Sequence, residues 1–179
     1  MTSDQTGPTK AELLTALRAN GEDTLTHLRA VPPEAFEQGR YENGWNGRQI
    51  LAHVASIEWT YRNLIDIAAG SDAPAKPDAG VTRTEPGEAA GTPTRTMRGG
   101  VGSYNERQVA KREGASVDEL LAEFERNREQ TIAAVEAAGE ELFARQIRSA
   151  GGITGSLANV IQAVAVLHVA GHVNDIVGG

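Results

Sequence analysis

Residues 157–177 read LANVIQAVAVLHVAGHVNDIV, and this last apolar stretch of the chain decides the fold. Ser156 is a good N-cap in front of it, so the stretch predicts a helix. His168 and His172 are four residues apart, which places them one turn apart on the same face. With Ile161 at zero and about 100° per residue, they fall at roughly 340° and 20°, in the centre of the apolar stripe. Both imidazoles are therefore expected to face the protein interior.

A third histidine has the same orientation in the predicted second helix, residues 47–69. His53 lies within the apolar arc of that helix, whereas His27 points about 120° away from the leucine stripe of the first helix. Core histidines are uncommon because each leaves a polar ring in need of partners. A bound metal ion gives several converging imidazoles a common partner. His53, His168 and His172 are therefore the candidate ligands of a divalent ion, with zinc or nickel as the first choice and iron as a further one. The alternative is three separately hydrogen-bonded histidines in the core or in a cavity.

These histidines meet in only one arrangement of four helices. His53 lies near the start of the second helix and His172 near the end of the last, so the two helices must run antiparallel. An up-down-up-down bundle makes them parallel, whereas an up-down-down-up bundle brings the histidines together. That order needs a connection which travels roughly 30 Å back along the bundle, and residues 70–115 are long enough. We therefore predict an all-α four-helix bundle with a long, partly irregular crossover between helices 2 and 3.

The remaining elements follow from caps and from glycine and proline content. Capping boxes open a first helix over residues 9–29 and a third long helix over 116–138, with a short helix over 104–112 before the latter. Residues 70–102 contain seven glycines and four prolines, which predicts an irregular insert. No strand alternation and no internal repeat is visible, so we expect a single domain over 1–179.

The composition argues against several classes of protein. The 179 residues carry a formal net charge of -7 without a basic stripe, which disfavours nucleic acid as a partner. Cysteine is absent, which excludes disulfides, thiolate metal ligands and a cysteine nucleophile. Residues 1–10 lack the apolar core of a signal peptide, and the apolar run over 160–173 is short and interrupted by polar side chains. We therefore expect a cytoplasmic protein with no membrane partner.

Four other side chains lie close to the predicted site. Asp175, three residues after His172, is suited to orient a ligating imidazole, or else is a surface carboxylate. Arg128 falls in the apolar arc of the third long helix, where it would suit an anionic substrate or snorkel at the bundle edge. Glu58 is expected to be solvated. Trp45 is expected to be a staple at the entry to the second helix rather than a pocket wall.

Three segments carry a family resemblance. Residues 44–55, GWNGRQILAHVA, resemble the tryptophan-to-histidine motif of the DinB-like (DinB/YfiT) metalloenzyme family, and residues 167–176, LHVAGHVNDI, look like its second motif. Residues 104–110, YNERQVA, are similar to a segment of the mycothiol-dependent maleylpyruvate isomerase branch. The resemblance implies an up-down-down-up bundle, usually a homodimer, that binds a divalent metal through the three histidines named above.

The resemblance also implies an activity. Characterised relatives are metal-dependent thiol transferases or isomerases that use mycothiol or bacillithiol, so the implied partners are a small-molecule thiol and a small electrophile. In that chemistry the metal lowers the pKa of the thiol. Two departures disfavour isomerase activity, because the isomerases carry glutamate where this chain has His168 and possess an additional C-terminal domain. The alternatives are a non-catalytic metal-binding or stress-response protein and a purely structural dimerising bundle.

Overall fold

A computed structural model describes residues 7–41, 44–70, 81–82, 92, 94, 96–97 and 99–178. Most of these residues are helical, and the long helices pack around one apolar core. The helices are α1 (Lys10–Arg29), α2 (Gly47–Glu58), α3 (Arg62–Ala69), α4 (Gly100–Ala110), α5 (Val117–Ala137), α6 (Leu157–Ile161) and α7 (His168–Val177). A π-helical segment, Gln162–Leu167, joins α6 to α7, so residues 157–177 form one continuous helix, called the last helix below. Two 3₁₀ turns, Pro33–Glu37 and Glu140–Ala144, complete the helical elements of the described residues.

Side-chain caps fix where the long helices begin. The Thr9 hydroxyl accepts from the Glu12 amide, and the Glu12 carboxylate accepts from the Thr9 amide, at the start of α1. Ser116 and Glu119 form the same reciprocal pair at the start of α5, and the Asn46 side chain caps α2. Each pair satisfies two backbone donors that the first helical turn leaves without partners. The predicted starts of these helices are confirmed.

The second and third long helices lie side by side and run in the same direction. The Asn127 side chain of α5 donates to the carbonyl of Ala55 at 3.0 Å. One turn further along both helices, the Thr131 hydroxyl donates to the carbonyl of Glu58 at 3.2 Å. Because both contacts advance together along the chain, α2 and α5 are parallel.

The other two helices run in the opposite direction to this pair. Lys10, at the start of α1, donates to the carbonyl of Ala138, just past the end of α5, at 2.7 Å. His53, near the start of α2, meets His172, near the end of the last helix. The order is therefore up-down-down-up, and the predicted four-helix bundle is confirmed.

The second helix is not continuous over 47–69 as predicted. α2 ends at Glu58, α3 begins at Arg62, and a single tight turn separates them. In this turn the Thr60 amide and hydroxyl both bond to the carbonyl of Ile57, at 2.9 and 2.6 Å. A threonine side chain that competes for a helical carbonyl disturbs the regular backbone hydrogen bonds, which accounts for the interruption of the helix here.

Two small antiparallel hairpins were not predicted. β1 (Val81–Thr82) pairs with β2 (Thr96–Met97), and β3 (Gln146–Arg148) pairs with β4 (Thr154–Ser156). Strands of two or three residues are too short to show the alternation by which a strand is recognised in a sequence. They are minor additions to a helical fold.

The insert predicted over residues 70–102 lies mostly outside the described residues. Where it is described, it contributes β1, β2 and the start of α4, which begins at Gly100 rather than at residue 104. Gly99 and Gly100 have φ values of 77° and 82°, which glycine adopts without steric cost. This glycine pair leads the chain directly from β2 into α4.

The last helix is the most apolar element of the fold. By length and composition alone Leu157–Val177 would suit a membrane span, and it is the one such helix in the described part of the chain. In the structure it packs against the other helices through a buried side that includes Ile161, Ala165 and Val169. A core helix of a bundle can have the same composition, and the absence of a membrane partner stays a prediction.

Candidate metal centre

Three imidazoles from two helices converge near one end of the bundle. His53 comes from α2, and His168 and His172 come from α7. The ring centroid of His53 is 5.7 Å from that of His168 and 5.1 Å from that of His172, and the last two are 4.4 Å apart. One nitrogen of each ring lies within 4.8 Å of the other two. The structure therefore brings together all three residues that the sequence marked as candidate ligands. His27 stays apart on the exposed side of α1, where its Nδ1 lies 2.8 Å from the carbonyl of Asp23.

Tyr41 and Asp175 determine which nitrogen of His172 carries the proton. The Tyr41 hydroxyl donates to Asp175 Oδ2 at 2.5 Å, and its oxygen also lies 2.5 Å from His172 Nδ1. Because the single hydroxyl hydrogen goes to the carboxylate, the oxygen can only accept from Nδ1, which must therefore be protonated. Nε2 keeps its lone pair and faces the cluster. This geometry supports the orienting role predicted for Asp175, whose Oδ2 also lies 3.3 Å from Nδ1.

His168 is held in the matching orientation. Its Nε2 lies 2.8 Å from His172 Nε2. With the proton of His168 on Nε2, this atom donates to the lone pair of His172 Nε2; with the proton on Nδ1, both Nε2 atoms offer lone pairs, and a cation satisfies them together. The donor set therefore fits a metal ion such as zinc, which prefers imidazole nitrogen at about 2.0–2.1 Å.

His53 is the most buried of the three histidines. The residue is 4% exposed, and its Nδ1 is buried with no hydrogen-bond partner among the described residues. Burial, and then the neighbouring imidazoles of His172 and His168, lower the pKa of His53 to about 3. The ring is thus neutral at physiological pH, which is the form that binds a metal.

Tyr41 is a functional residue that the sequence analysis missed. It lies in the loop before α2, where no helical periodicity marks it, and its only signal is that it closely precedes the segment 44–55. Trp45 packs its ring against both Tyr41 and His53, with centroids 6.5 and 5.4 Å apart. Trp45 therefore covers one side of the histidine cluster, in addition to standing at the entry to α2.

The interaction of Tyr41 with His172 leads to a prediction about metal affinity. Tyr41→Phe removes the oxygen that accepts the Nδ1 proton, so we expect the affinity for Zn²⁺ to fall roughly 10–100-fold. Competition with a chromophoric chelator measures this affinity directly. The matched control is Tyr104→Phe, on α4, which should keep the wild-type value; equal affinities for all three proteins would contradict the orienting role.

Arg128 lies in the bundle core, where it is 3% exposed, and this location disfavours the substrate-binding role predicted for it. Its Nε and Nη2 donate to the two carboxylate oxygens of Glu58 at 2.8 and 2.9 Å. Nη1 donates to the carbonyl of Leu17 and the side chain of Asn20, both at 3.0 Å, and Nη2 also donates to the carbonyl of Ala165 at 2.7 Å. A guanidinium has five N–H donors, and all of them are used.

Glu58 is fully buried, so the prediction that it is solvated is wrong. Burial raises the pKa of its carboxyl group, and the Arg128 guanidinium opposes that rise. The pair belongs to α2 and α5 and reaches Ala165 in the π-helical segment, three residues before His168. It therefore joins the two helices that carry the histidines. π-helical turns occur frequently beside functional sites, which agrees with this position.

A pocket of about 320 Å³ opens beside the histidine cluster. His53 and His168 form part of its wall, next to the turn that separates α2 from α3. The cluster is thus accessible from one side, whereas Trp45 packs on His53 from another.

Comparison with known proteins places this geometry in a family. A family model for the DinB superfamily matches residues 16–176. A search of curated proteins gives no match. The fold is shared with the crystal structure of a mycothiol-dependent maleylpyruvate isomerase, at 18% identity and a TM-score of 0.69, over 98% of this chain and 63% of that one. This chain thus spans less than two thirds of the length of that isomerase.

Two further structures share the fold. YfiT from Bacillus subtilis, described as a probable metal-dependent hydrolase with an unusual four-helix bundle topology, is 14% identical, with a TM-score of 0.61 over 99% of this chain and 87% of that one. The colibactin self-resistance protein ClbS, solved in complex with double-stranded DNA, is 16% identical, with a TM-score of 0.63 over 96% of both chains. At these identities the likeness concerns the fold. Together with the family match over most of its length, it shows that the chain belongs to the DinB superfamily.

Proposed function

We propose that the chain binds a divalent metal, zinc or nickel, through His53, His168 and His172. We further propose that it is a metal-dependent S-transferase, which joins a small-molecule thiol of the mycothiol or bacillithiol type to a small electrophile. One observation carries the proposal: one nitrogen from each of the three imidazoles lies within 4.8 Å of the other two, beside an open pocket.

The residues around the site have separable tasks. Asp175 and Tyr41 hold the Nδ1 proton of His172 and so keep its Nε2 available as a ligand. Trp45 packs on His53 and limits the access of water on that side. A divalent metal held here would lower the pKa of a bound thiol and make thiolate available near neutral pH. A chain without cysteine would then perform sulfur chemistry with a thiol that it binds.

The names of two structural neighbours support the proposed metal-dependent activity. One structural neighbour is called mycothiol-dependent and another a probable metal-dependent hydrolase. Because the second neighbour is called a probable hydrolase, hydrolysis is assayed beside thiol transfer. The homodimer, the cytoplasmic location, the absence of a nucleic-acid partner and the single domain over 1–179 stay predictions, and the DNA complex of ClbS makes DNA binding a measurement to include.

The experiment compares the wild-type protein with His53→Ala, both purified without a metal-affinity column. We expect about one equivalent of zinc or nickel in the wild type and much less in the variant, by elemental analysis. The wild type should also accelerate the reaction of a low-molecular-weight thiol with an electrophile, lose the rate on chelation and recover it when metal is returned. A wild type that stays metal-free after addition of zinc or nickel contradicts the metal site. A metal-loaded protein without any turnover favours the non-catalytic metal-binding protein.

A further inference from the structure

The backbone of the last helix changes its hydrogen-bond register directly at one of the candidate ligands. The amide of His168 bonds to the carbonyl of Ala163, five residues back, whereas an α-helix would use the carbonyl of Val164, four residues back. A π turn of this kind holds one more residue than an α turn. Every side chain after it therefore points about 100° away from the direction that an uninterrupted α-helix would give it. The π turn thus decides how α7 directs His168 and His172.

Two consecutive carbonyls of the π-helical segment accept side-chain hydrogen bonds from other helices. Arg128 Nη2, from α5, donates to the carbonyl of Ala165 at 2.7 Å. Asn20 Nδ2, from α1, donates to the carbonyl of Val166 at 3.3 Å. π turns are rare, and a side chain that inserts into the hydrogen-bond ladder of a helix is a recognised cause of a local departure from α geometry. These two bonds tie the segment to α5 and α1.

The two donor side chains are oriented by each other and by Glu58. Arg128 Nη1 donates to Asn20 Oδ1 at 3.0 Å, which leaves Nδ2 of the same amide to donate to Val166. A guanidinium can only donate and a backbone carbonyl can only accept, so this orientation of the amide satisfies both neighbours. The Glu58 carboxylate accepts from Nε and Nη2 and so sets the plane of the guanidinium. We call Glu58, Arg128 and Asn20 the Arg128 network.

A glycine in α1 makes room for this arrangement. A Cβ atom at Gly21 would lie 3.2 Å from Cγ of Arg128, which is a tight contact. Glycine in the interior of a helix is unfavourable relative to alanine, and the close approach of the arginine stem accounts for its presence here. The sequence of α1 thus accommodates the side chain that reaches the π-helical segment.

We propose that the Arg128 network positions the candidate metal centre: by holding the π-helical segment in its register, it turns His168 and His172 towards His53. Its three members act through the backbone of the last helix and are positioning residues, not ligands. The inference rests on the proposed function for the metal. The register of the helix, however, can be determined in the metal-free protein, so the two ideas can fail separately.

Two variants weaken the network without stripping Glu58 of a cationic neighbour. Arg128→Lys keeps a positive charge there but loses the planar fork that serves several acceptors at once. Asn20→Asp keeps an oxygen for Arg128 and loses the donor to Val166. We expect the affinity for Zn²⁺ to fall at least about tenfold in Arg128→Lys and at least about threefold in Asn20→Asp, whose lost bond is longer. Competition with a chromophoric chelator measures both.

The matched control separates positioning from a general loss of stability. Leu13 is fully buried in the first turn of α1, at the end of the bundle away from the histidines. Leu13→Ala leaves a cavity in the same core and should keep the wild-type affinity for Zn²⁺. An affinity that falls as much in Leu13→Ala as in Arg128→Lys, or that stays at the wild-type value in both network variants, would overturn the proposal.

The register itself is tested without metal. In a crystal structure of metal-free Arg128→Lys, we expect the His168 amide to bond to Val164 and no longer to Ala163. The rings of His168 and His172 should then lie farther from His53 than the present centroid distances of 5.7 and 5.1 Å. An unchanged π turn refutes the positioning role, and Asn20→Asp takes the place of Arg128→Lys if the latter does not fold. If the wild type binds no zinc, the proposed metal site fails, and this structural comparison alone decides the role of the network.

Discussion

Arg128→Met is expected to lower the free energy of unfolding by about 3–5 kcal/mol, because it leaves the Glu58 carboxylate buried without its partner. The side chains of the pair are 4% and 0% exposed, and each carboxylate oxygen accepts one guanidinium hydrogen bond. The variant also removes the donors to α1 and to the π-helical segment. Urea denaturation of the metal-free protein measures the loss.

Two controls separate a buried pair from ion pairing in general. Arg18→Met removes the surface pair with Glu136, whose side chains are 54% and 48% exposed, and should change stability by no more than about 1 kcal/mol. The double variant Arg128→Met/Glu58→Leu removes both buried charges and should recover a large part of the stability. If Arg128→Met proves as mild as Arg18→Met, the pair is not the central contact described above.

His53→Leu is expected to change stability in opposite directions with and without metal. In the metal-free protein the buried Nδ1 has no partner in the described structure, so its removal should raise the free energy of unfolding by about 1–3 kcal/mol. In the wild type, Zn²⁺ at a hundred times its dissociation constant should add about 2.7 kcal/mol, and the variant should lose this gain. Urea denaturation with a chelator and with added zinc measures both effects.

The exposed histidine of α1 provides the matched control. His27→Leu should keep the full zinc response, because its ring lies outside the cluster and bonds to its own helix. A zinc response that survives in His53→Leu, or a metal-free variant that is less stable than the wild type, would argue for a merely structural core histidine.

The stability difference between metal-free wild type and His53→Leu should also depend on pH. The pKa of His53 is lowered from 6.5 to about 3 in the folded protein, so between these values the unfolded chain binds a proton that the folded chain does not. Above about pH 6.5 the titration of His53 therefore does not change stability, and below that pH the wild type loses stability through His53 by up to about 1.4 kcal/mol per pH unit. The amount by which metal-free His53→Leu exceeds the wild type in free energy of unfolding should therefore grow as the pH falls below about 6.5. A pH-independent difference contradicts the lowered pKa.

Much of the candidate site is predictable from the sequence because its ligands obey local geometry. His168 and His172 share a helix face by their spacing alone, and His53 lies on the apolar arc of its own helix. The requirement that these faces meet then selects the up-down-down-up order among simple bundles. Capping boxes such as Thr9 with Glu12 mark helix starts for the same reason, since both partners lie within one turn.

The remaining features of the fold and of the candidate site depend on contacts between residues that are far apart in the chain. Glu58 and Arg128 are separated by 70 positions, so nothing local shows that the two charges are buried together. Tyr41 reaches Asp175 across 134 positions, and its role exists only when the loop before α2 lies over α7. The tight turn at Thr60 lines the pocket, although the periodicity on both sides of it is helical.

The sequence alone determines the starts of the long helices, the shared helix face of His168 and His172, and the family to which the chain is similar, because periodicity, caps and short motifs are local properties. The expectation that all three imidazoles face the interior is wrong for His168, which is exposed. Only the tertiary structure decides that Arg128 serves the core, that Tyr41 and Asp175 orient His172, and that a pocket opens beside the cluster. The physical reason is that hydrogen-bond partners and the lining of a concavity are pairwise properties of residues that folding brings together. A helical period describes which way a side chain points, and the fold supplies what it meets there.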